Sequence, residues 1–327
     1  MLDIMVLEVA SYYPAPFCTR ILASLGARVI KIETPAGEPT RAFEEIFAVF
    51  NLGKEILRVD LKNEEGKKKF FGLVEKADVI VEGLRPGVAK KLGIDYESIS
   101  KINPGIIYCS ITAFGQKTRL ARFPAHDINV LGLGGILEIC GKGSICDPNI
   151  QFADLTSSLI AVIAILSALI ERERTGVGKR LDISMLRSSI FSLPVHATSI
   201  LNGLGLFPVL VRNPVYGIYK TKDGYITLGI VAEEHFWRKL CETLELKFNF
   251  SILSALENFE LVKEELAKKI GSFTTKEIIE KLRFADVPAF EVYSLQEIDK
   301  LEEALGEKLV EEINFNGKKV RLVKPPW

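Results

Sequence analysis

Two side chains that can carry protons stand near the starts of predicted helices. His126 lies in the segment 124–137, Pro-Ala-His-Asp-Ile-Asn-Val-Leu-Gly-Leu-Gly-Gly-Ile-Leu, and Asp154 lies in the segment 151–158. Imidazole has an ordinary pKa of roughly 6.5, which suits proton abstraction near neutrality. A carboxylate on the opposite face of a substrate carbon could return the proton and invert that carbon. A structural polar residue at a helix start is the alternative for His126.

Two further acidic residues lie at similar positions. Glu233 stands where a predicted strand meets a predicted helix, and its simplest role is an N-cap carboxylate that complements the helix dipole. Asp127, beside His126, could equally be a cap.

A small basic set, Lys62, Arg85 and Lys91, is suited to a phosphorylated ligand. Arg85 directly follows a buried strand, in the sequence Gly-Leu-Arg-Pro-Gly. Helix N-termini and loop amides collect at such strand ends in α/β folds, so an arginine there can hold a phosphate. An ordinary surface arginine is the alternative.

Composition and missing motifs exclude several functional classes. The chain has 42 basic and 42 acidic residues, and no basic excess that a general nucleic-acid binder would need. Its five cysteines show no C-x-x-C, so neither a disulfide framework nor a zinc site is expected, and a reducing cytoplasm fits best. The sequence contains no P-loop, no G-x-S-x-G and no G-x-G-x-x-G in the first turn. The apolar run 159–170 is too short for a bilayer and predicts a buried helix, so we expect no membrane partner.

Alternating strands and helices predict how these residues are positioned. Strands are expected at 4–9, 29–33, 57–61, 77–82, 105–112 and 179–184, and helices at 17–25, 64–75, 88–92, 154–174 and 185–201. This βαβ repetition predicts an α/β protein with a Rossmann-like parallel sheet and a ligand crevice at the strand ends. A hairpin over 217–229 and helices at 234–244, 261–270, 275–284 and 296–305 suggest a smaller α+β domain.

The sequence resembles the family III CoA-transferases and, within that superfamily, the α-methylacyl-CoA racemases. The resemblance rests on Ala-Asp-Val-Ile-Val-Glu-Gly-Leu-Arg-Pro-Gly at 77–87, His-Asp-Ile-Asn at 126–129 and Phe-Ala-Asp at 152–154, with similar segments at 16–33, 60–62, 103–108 and 222–225. These motifs cover roughly residues 4–240 in the family's order.

The resemblance implies a fold and a CoA site. The large domain would comprise residues 1–200 and 300–327, the small domain residues 205–295, and two chains would form an interlocked homodimer. No cofactor would be bound permanently, because coenzyme A arrives as part of the thioester substrate. The residues that match the family's CoA-binding positions are Asp60, Leu61, Lys62, Gly83, Leu84, Arg85, Lys91 and Leu92.

Two chemistries are implied by the resemblance, and the sequence favours the racemase. In a racemase, His126 and Asp154 would exchange the α-proton of a 2-methylacyl-CoA, Glu233 would orient His126, and the backbone N–H of Asp127 would stabilise the enolate. In a transferase, Asp154 would be the nucleophile that carries CoA between two carboxylic acids. The retained histidine, and the lack of a glycine run near residues 213–217, predict the racemase. The acyl group is left open.

Overall fold

The computed structural model describes residues 2–327, without the side chains of Pro208 and Val209. It divides into two compact units: unit 1 contains Met1–Pro194 and Leu309–Trp327, and unit 2 contains Val195–Lys308. The sequence placed the corresponding divisions at residues 200–205 and 295–300.

A six-stranded parallel sheet forms the centre of unit 1. The strands are β1 (Met5–Val9), β2 (Arg28–Glu33), β3 (Lys54–Arg58), β4 (Val79–Glu82), β5 (Ile107–Thr112) and β6 (Lys179–Ser184). Their order in the sheet is β3-β2-β1-β4-β5-β6, with every neighbouring pair parallel. This is the doubly wound order of Rossmann-like folds, which leaves a crevice at the carboxyl ends of β1 and β4. The predicted α/β class is therefore confirmed.

The central strands are apolar on both faces, as parallel strands covered by helices must be. Every residue of β4 and β5 is buried. Alternate residues belong to different apolar clusters: Val79 and Val81 pack in one, and Ile80 packs in the other. This period of two shows that the sheet separates two cores, one on each face.

Helices cover both faces of this sheet. Those of unit 1 are α1 (Pro14–Ser24), α2 (Glu44–Asn51), α3 (Glu64–Val74), α4 (Val88–Leu92), α5 (Tyr96–Ile99), α6 (Asp127–Leu133), α7 (Ile136–Cys140), α8 (Phe152–Thr175) and α9 (Met185–Phe191), and α10 (Pro194–Leu201) begins at the boundary. Asn63 caps α3 as the sequence predicts, because its Oδ1 accepts a hydrogen bond from the N–H of Gly66 at 2.8 Å. The predicted helix over 185–201 is two helices, since Pro194 has no N–H with which to continue α9.

The long helix α8 differs from the expected buried helix. It has 24 residues and a mean hydropathy of 2.1 over its most apolar window, of which 50% is buried. By length and composition alone it could cross a membrane. One side packs into the core through Ala161 and Ile165, whereas Leu159, Ile163 and Ile170 are exposed. The expected buried helix is therefore buried on one face and exposed on the other.

A buried ion network lies beneath the first loop of the chain. The Nζ of Lys31 lies 2.5 Å from Glu8 and 2.9 Å from Glu38, and the Nζ of Lys54 lies 2.6 Å from Glu8. Although burial opposes ionisation, the two lysines hold the pKa of Glu8 below its ordinary value. The lysines also donate to the carbonyl oxygens of Ala10 at 3.0 Å and Pro16 at 2.8 Å. The network therefore fixes both ends of the loop between β1 and α1.

Unit 2 has its own core. Its helices and strands are α11 (Pro208–Val211), β7 (Tyr216–Lys220), β8 (Tyr225–Gly229), α12 (Glu234–Thr243), α13 (Ile252–Glu257), α14 (Phe259–Gly271), α15 (Thr275–Phe284), β9 (Ala289–Glu291) and α16 (Ile298–Leu305). The three strands form an antiparallel sheet in the order β7-β8-β9. Trp237 of α12 is buried against Phe248 and Phe250, which lie in the loop between α12 and α13. The chain returns to unit 1 through the antiparallel hairpin β10 (Val310–Phe315) and β11 (Lys318–Val323).

Candidate active site

Asp154 lies in the first turn of α8, and two long-range contacts fix that turn. Asp127 Oδ1 accepts hydrogen bonds from the N–H groups of Ala153 at 2.7 Å and Asp154 at 3.0 Å. The Oγ of Ser158, one turn further along, donates to the carbonyl oxygen of Pro14 at 2.8 Å. Asp127 is thus a cap, but for α8 rather than for its own helix α6. The two carboxyl groups are held together at one helix start.

This arrangement changes the acidity of Asp154. Burial, and secondarily the neighbouring Asp127 carboxylate, raise the pKa of Asp154 from 3.8 to about 7. Burial also raises the pKa of Asp127, although its two backbone hydrogen bonds oppose the change. A carboxylate with a raised pKa is a stronger base and a stronger nucleophile than an ordinary aspartate, and such groups concentrate at functional sites.

His126 occupies the N-cap position of α6. Its own N–H donates to Asn129 Oδ1 at 3.0 Å, which fixes the backbone at the start of the helix. The edge of the Tyr12 ring meets the imidazole with 6.1 Å between ring centroids. His126 therefore has both the structural position that the sequence suggested and a place beside Asp154 in the cavities described next.

Two cavities in unit 1 share four residues: Tyr12, Tyr13, His126 and Asp154. The first, which we call the arginine cavity, has a volume of about 330 Å³ and includes Arg85. The second, which we call the aromatic cavity, has a volume of about 490 Å³. The arginine cavity is also lined by Ser11, Gly83, Leu84, Thr112, Phe123 and Met185, and the aromatic cavity by Thr40, Phe50, Asp127, Ile128, Leu131, Asp147, Asn149, Ile150 and Gln151.

The structure thus brings together His126, Asp154, Gly83, Leu84 and Arg85, all of which the sequence singled out. Gly83 lies at the carboxyl end of β4, where an added Cβ would be 3.3 Å from the Cβ of Ala10. Such a contact is tight, so a larger residue would crowd the loop that carries the two tyrosines.

The other residues predicted to bind CoA lie outside the two cavities. Asp60 and Lys62 follow β3, where Asp60 Oδ1 accepts from the Lys62 N–H at 3.0 Å, and Lys91 is exposed on α4. Leu61 and Leu92 belong to the apolar cluster that also contacts Leu84. Their CoA-binding roles stay predictions.

Glu233 lies in unit 2, at the N-cap position of α12. Its Oε2 accepts from the N–H groups of Val231 at 2.8 Å and Ala232 at 3.0 Å, and these hydrogen bonds to backbone amides lower its pKa. The carboxylate therefore orders the loop before the helix. Its proposed action on His126 stays a prediction.

The sequence analysis missed the two tyrosines. It gave no role to the segment between the predicted strand 4–9 and the predicted helix 17–25, whereas Tyr12 and Tyr13 of that segment line both cavities. Tyr12 has a φ of 68°, a left-handed conformation that is rare for an aromatic residue. Burial, and then the charges of Asp154 and Asp127, raise the pKa of the Tyr13 phenol. Their position directly after β1, at the crevice edge, was the available signal.

No group of three or more His, Cys, Asp or Glu residues that could hold a metal ion occurs within residues 2–327. The ionisable side chains that line the described site are carboxylates, an imidazole, an arginine and phenols.

The family model for CoA-transferase family III matches residues 1–327. The chain therefore belongs to CoA-transferase family III. A solved CaiB/BaiF family protein from Brucella suis has the same fold: it superposes with a TM-score of 0.85 at 27% identity, over 99% of this chain and 91% of the other.

Curated relatives include both kinds of enzyme. The acetyl-CoA:oxalate CoA-transferase of Acetobacter aceti is 34% identical over 257 residues, covering 74% of this chain and 66% of that enzyme. The succinyl-CoA:glutarate CoA-transferase of Mus musculus is 30% identical over 338 residues, covering 94% of this chain and 76% of that enzyme. The α-methylacyl-CoA racemase of Homo sapiens is 31% identical over 264 residues, covering 75% of this chain and 64% of that enzyme.

These comparisons favour the transferase alternative over the racemase that the sequence analysis preferred. Of these three relatives, the one with the highest identity and the one aligned over most of this chain are both named CoA-transferases. The retained histidine was therefore given too much weight; in this chain His126 occupies the N-cap position of α6, which is a structural position.

Proposed function

We propose that this protein is a CoA-transferase that moves coenzyme A between two carboxylic acids through Asp154. The observation that carries the proposal is the Asp154 carboxylate, held at the start of α8 between two cavities with its pKa raised to about 7. The family membership and the names of the relatives support the same chemistry.

The reaction proceeds through two covalent intermediates on Asp154. The ionised carboxylate attacks the thioester carbonyl, the C–S bond breaks, and CoA thiolate leaves a mixed anhydride on the enzyme. The thiolate then attacks the aspartyl carbonyl and expels the first acid as a carboxylate, leaving an aspartyl-CoA thioester. A second carboxylate reverses both steps, so that its own CoA thioester is released and Asp154 is restored.

The cavity residues have separate roles in this reaction. Arg85, in the arginine cavity, pairs with a phosphate of CoA. The backbone N–H of Asp127, at the first position of α6, donates to the oxyanion of the tetrahedral intermediates. Asp127 also keeps Asp154 basic through its charge. The interlocked homodimer that the resemblance implies belongs to this proposal as well.

Racemisation is the second candidate, because His126 lines both cavities with Asp154. In that reaction the pair would exchange the proton on the carbon next to the thioester carbonyl, and no covalent intermediate would form. Glu233 would then orient His126, as the sequence analysis expected.

Trapping distinguishes the two reactions. The protein is incubated with 2-methylbutanoyl-CoA or benzoyl-CoA in D₂O, treated with hydroxylamine or borohydride, and digested for mass spectrometry. A transferase is modified at Asp154 by both thioesters, because attack at the carbonyl needs no α-hydrogen, and the Asp154→Asn variant is not modified. A racemase instead deuterates and epimerises only 2-methylbutanoyl-CoA, with Asp154 unmodified. That second result would refute the proposal.

A further inference from the structure

The aromatic cavity differs from the arginine cavity in its charge. The arginine cavity contains Arg85, whereas none of the residues that line the aromatic cavity is a lysine or an arginine. Apart from His126, its ionisable groups are two tyrosines and the carboxyl groups of Asp127, Asp147 and Asp154. A ligand in this cavity therefore meets acidic groups and no permanent cation.

The carboxyl groups act on one another across this space. Burial is the main cause of the raised pKa values of Asp154 and Tyr13; the charge of Asp127 adds to the first, and the charges of Asp154 and Asp127 add to the second. The charge of Asp147 likewise acts to raise the pKa of Asp127. Each of these charge effects has the sign of a negative field. A second carboxylate on the acyl chain, one that does not react at Asp154, would therefore be repelled in this cavity.

The remaining wall of the aromatic cavity is largely apolar. Phe50, Ile128, Leu131 and Ile150 line it, and the Tyr13 ring packs on Phe50 with 5.0 Å between centroids. Its volume of about 490 Å³ greatly exceeds the space that a two-carbon acyl group fills. Apolar walls with few polar groups are typical of sites that bind uncharged organic groups.

We infer that the aromatic cavity binds the acyl part of the substrate, and that this acyl group is an uncharged, apolar one derived from a monocarboxylic acid. The inference rests on the proposed function, because it places the acyl group beside Asp154 with CoA on the Arg85 side. It also separates this chain from its relatives, two of which are named for the dicarboxylates oxalate and glutarate.

The test compares two unreactive ligands of equal chain length. S-hexyl-CoA and S-(5-carboxypentyl)-CoA are thioethers, so they bind without acyl transfer and report on the cavity alone. Calorimetry at pH 8 should give S-hexyl-CoA a dissociation constant at least about 10-fold lower, because the second ligand buries an unpaired carboxylate. Equal affinity, or tighter binding of the carboxylated ligand, would overturn the inference.

A charge-reversed variant tests the cause of this preference. Asp147 is an exposed loop residue that lines the aromatic cavity, so Asp147→Lys places a cation there and should reduce the affinity ratio several-fold. Asp3→Lys makes the same change in an exposed residue just before β1, at the end of that strand away from the crevice, and should leave the ratio unchanged. An unchanged ratio in Asp147→Lys would contradict the electrostatic explanation.

Transfer assays then separate this inference from the proposed function. Wild-type protein is supplied with hexanoyl-CoA and either labelled butanoate or labelled succinate, two acids of four carbons. Transfer to butanoate alone supports both the transferase function and the apolar acyl class. Transfer to succinate with similar efficiency refutes the acyl class and still supports the transferase function. If neither acid accepts CoA while the thioethers still differ in affinity, the acyl class stands and the transferase proposal fails.

Discussion

Replacing Asp154 with asparagine should stabilise the protein at alkaline pH, and the size of the effect follows from its surroundings. The fold raises the pKa of this carboxyl from 3.8 to about 7, mainly through burial and then through Asp127. The folded state therefore holds the proton more tightly than the unfolded chain does. The stability contributed by the protonated group is complete below pH 3.8 and is lost as the pH rises to about 7.

The magnitude comes from the difference between the two pKa values. A difference of one in pKa corresponds to about 1.4 kcal/mol, so ionised Asp154 costs the wild-type protein up to ~4 kcal/mol at pH 8. At pH 5 the group is almost fully protonated in the folded state but mostly ionised in the unfolded chain, and the cost is only ~1.7 kcal/mol. Asparagine cannot ionise, so the advantage of Asp154→Asn over wild type should grow by about 2–3 kcal/mol between pH 5 and pH 8.

Urea denaturation of both proteins at the two pH values measures this difference. Asp3→Asn is the matched control, because it removes an exposed carboxylate just before β1, at the end of that strand away from the crevice. Its effect on the free energy of unfolding should not grow with pH. If the advantage of Asp154→Asn is the same at pH 5 and pH 8, then burial and Asp127 do not raise the pKa of Asp154, and the proposed nucleophile is an ordinary carboxylate.

Three other perturbations have expected outcomes. Activity should fall about ten-fold per pH unit below pH 7, and Asp127→Asn should move this limb to lower pH by up to about 1.5, because burial is the larger of the two causes. Arg85→Ala should raise KM for the acyl-CoA about 10- to 100-fold with little change in kcat, and Arg85→Lys should restore part of the loss. Lys31→Met should lower the free energy of unfolding by ~3–5 kcal/mol in urea denaturation at pH 7, because Glu8 and Glu38 lose their shared cation.

Each of these outcomes can be contradicted directly. An acid limb that does not move in Asp127→Asn would mean that the two carboxyl groups do not interact. A fall in kcat at unchanged KM in Arg85→Ala would place the arginine at the reacting atoms instead of at CoA. Arg28→Met, which removes an exposed ion pair with Glu55, is the control for Lys31→Met. Equal destabilisation by the two would mean that the buried network stabilises the fold no more than an exposed ion pair does.

The sequence predicts the central sheet because its strands are strongly apolar and alternate with helices. β1, β4 and β5 appear within two residues of their expected bounds. The prediction was less successful at the edge, where β3 spans Lys54–Arg58 instead of 57–61, because its residues are mostly exposed and lack an apolar run. The helix α2 was missed for a related reason, since Phe43 at its N-cap position offers no capping side chain.

The hairpin of β10 and β11 shows a signal that was overlooked. Asn316 and Gly317 both have positive φ, as a tight turn between twisted strands requires, and Asn-Gly is the usual sequence for it. The preceding strand was missed because its polar and apolar residues alternate without a long apolar run.

The site itself depends on contacts that no local pattern reveals. Ser158 and Pro14 are 144 residues apart in the chain. Their hydrogen bond holds the loop between β1 and α1, which carries the two tyrosines, against α8. The sequence shows that Asp127 and Asp154 are polar residues near helix starts. Only the fold shows that the carboxyl group of Asp127 caps the helix that carries Asp154. The raised pKa of Asp154 depends on the same contacts. The sequence therefore identifies Asp154 as a candidate residue but does not predict its pKa.

In transfer the Asp154 carboxylate attacks the thioester carbonyl carbon, whereas in racemisation it takes a proton from the adjacent α-carbon. These two carbon atoms are only about 1.5 Å apart, the length of the bond between them. A carboxylate with a pKa of about 7 is basic enough for proton abstraction and nucleophilic enough for attack, so its acidity does not select between them. Selection must come from where the thioester is held, and a misplacement of about 1 Å can cost about 100-fold in rate. Asp154 is in the first turn of a 24-residue helix, and the buried lysines fix the loop that lines the same cavities. In the arrangement that we propose, with the acyl group in the aromatic cavity, the fit of that group determines which of the two carbon atoms meets the carboxylate.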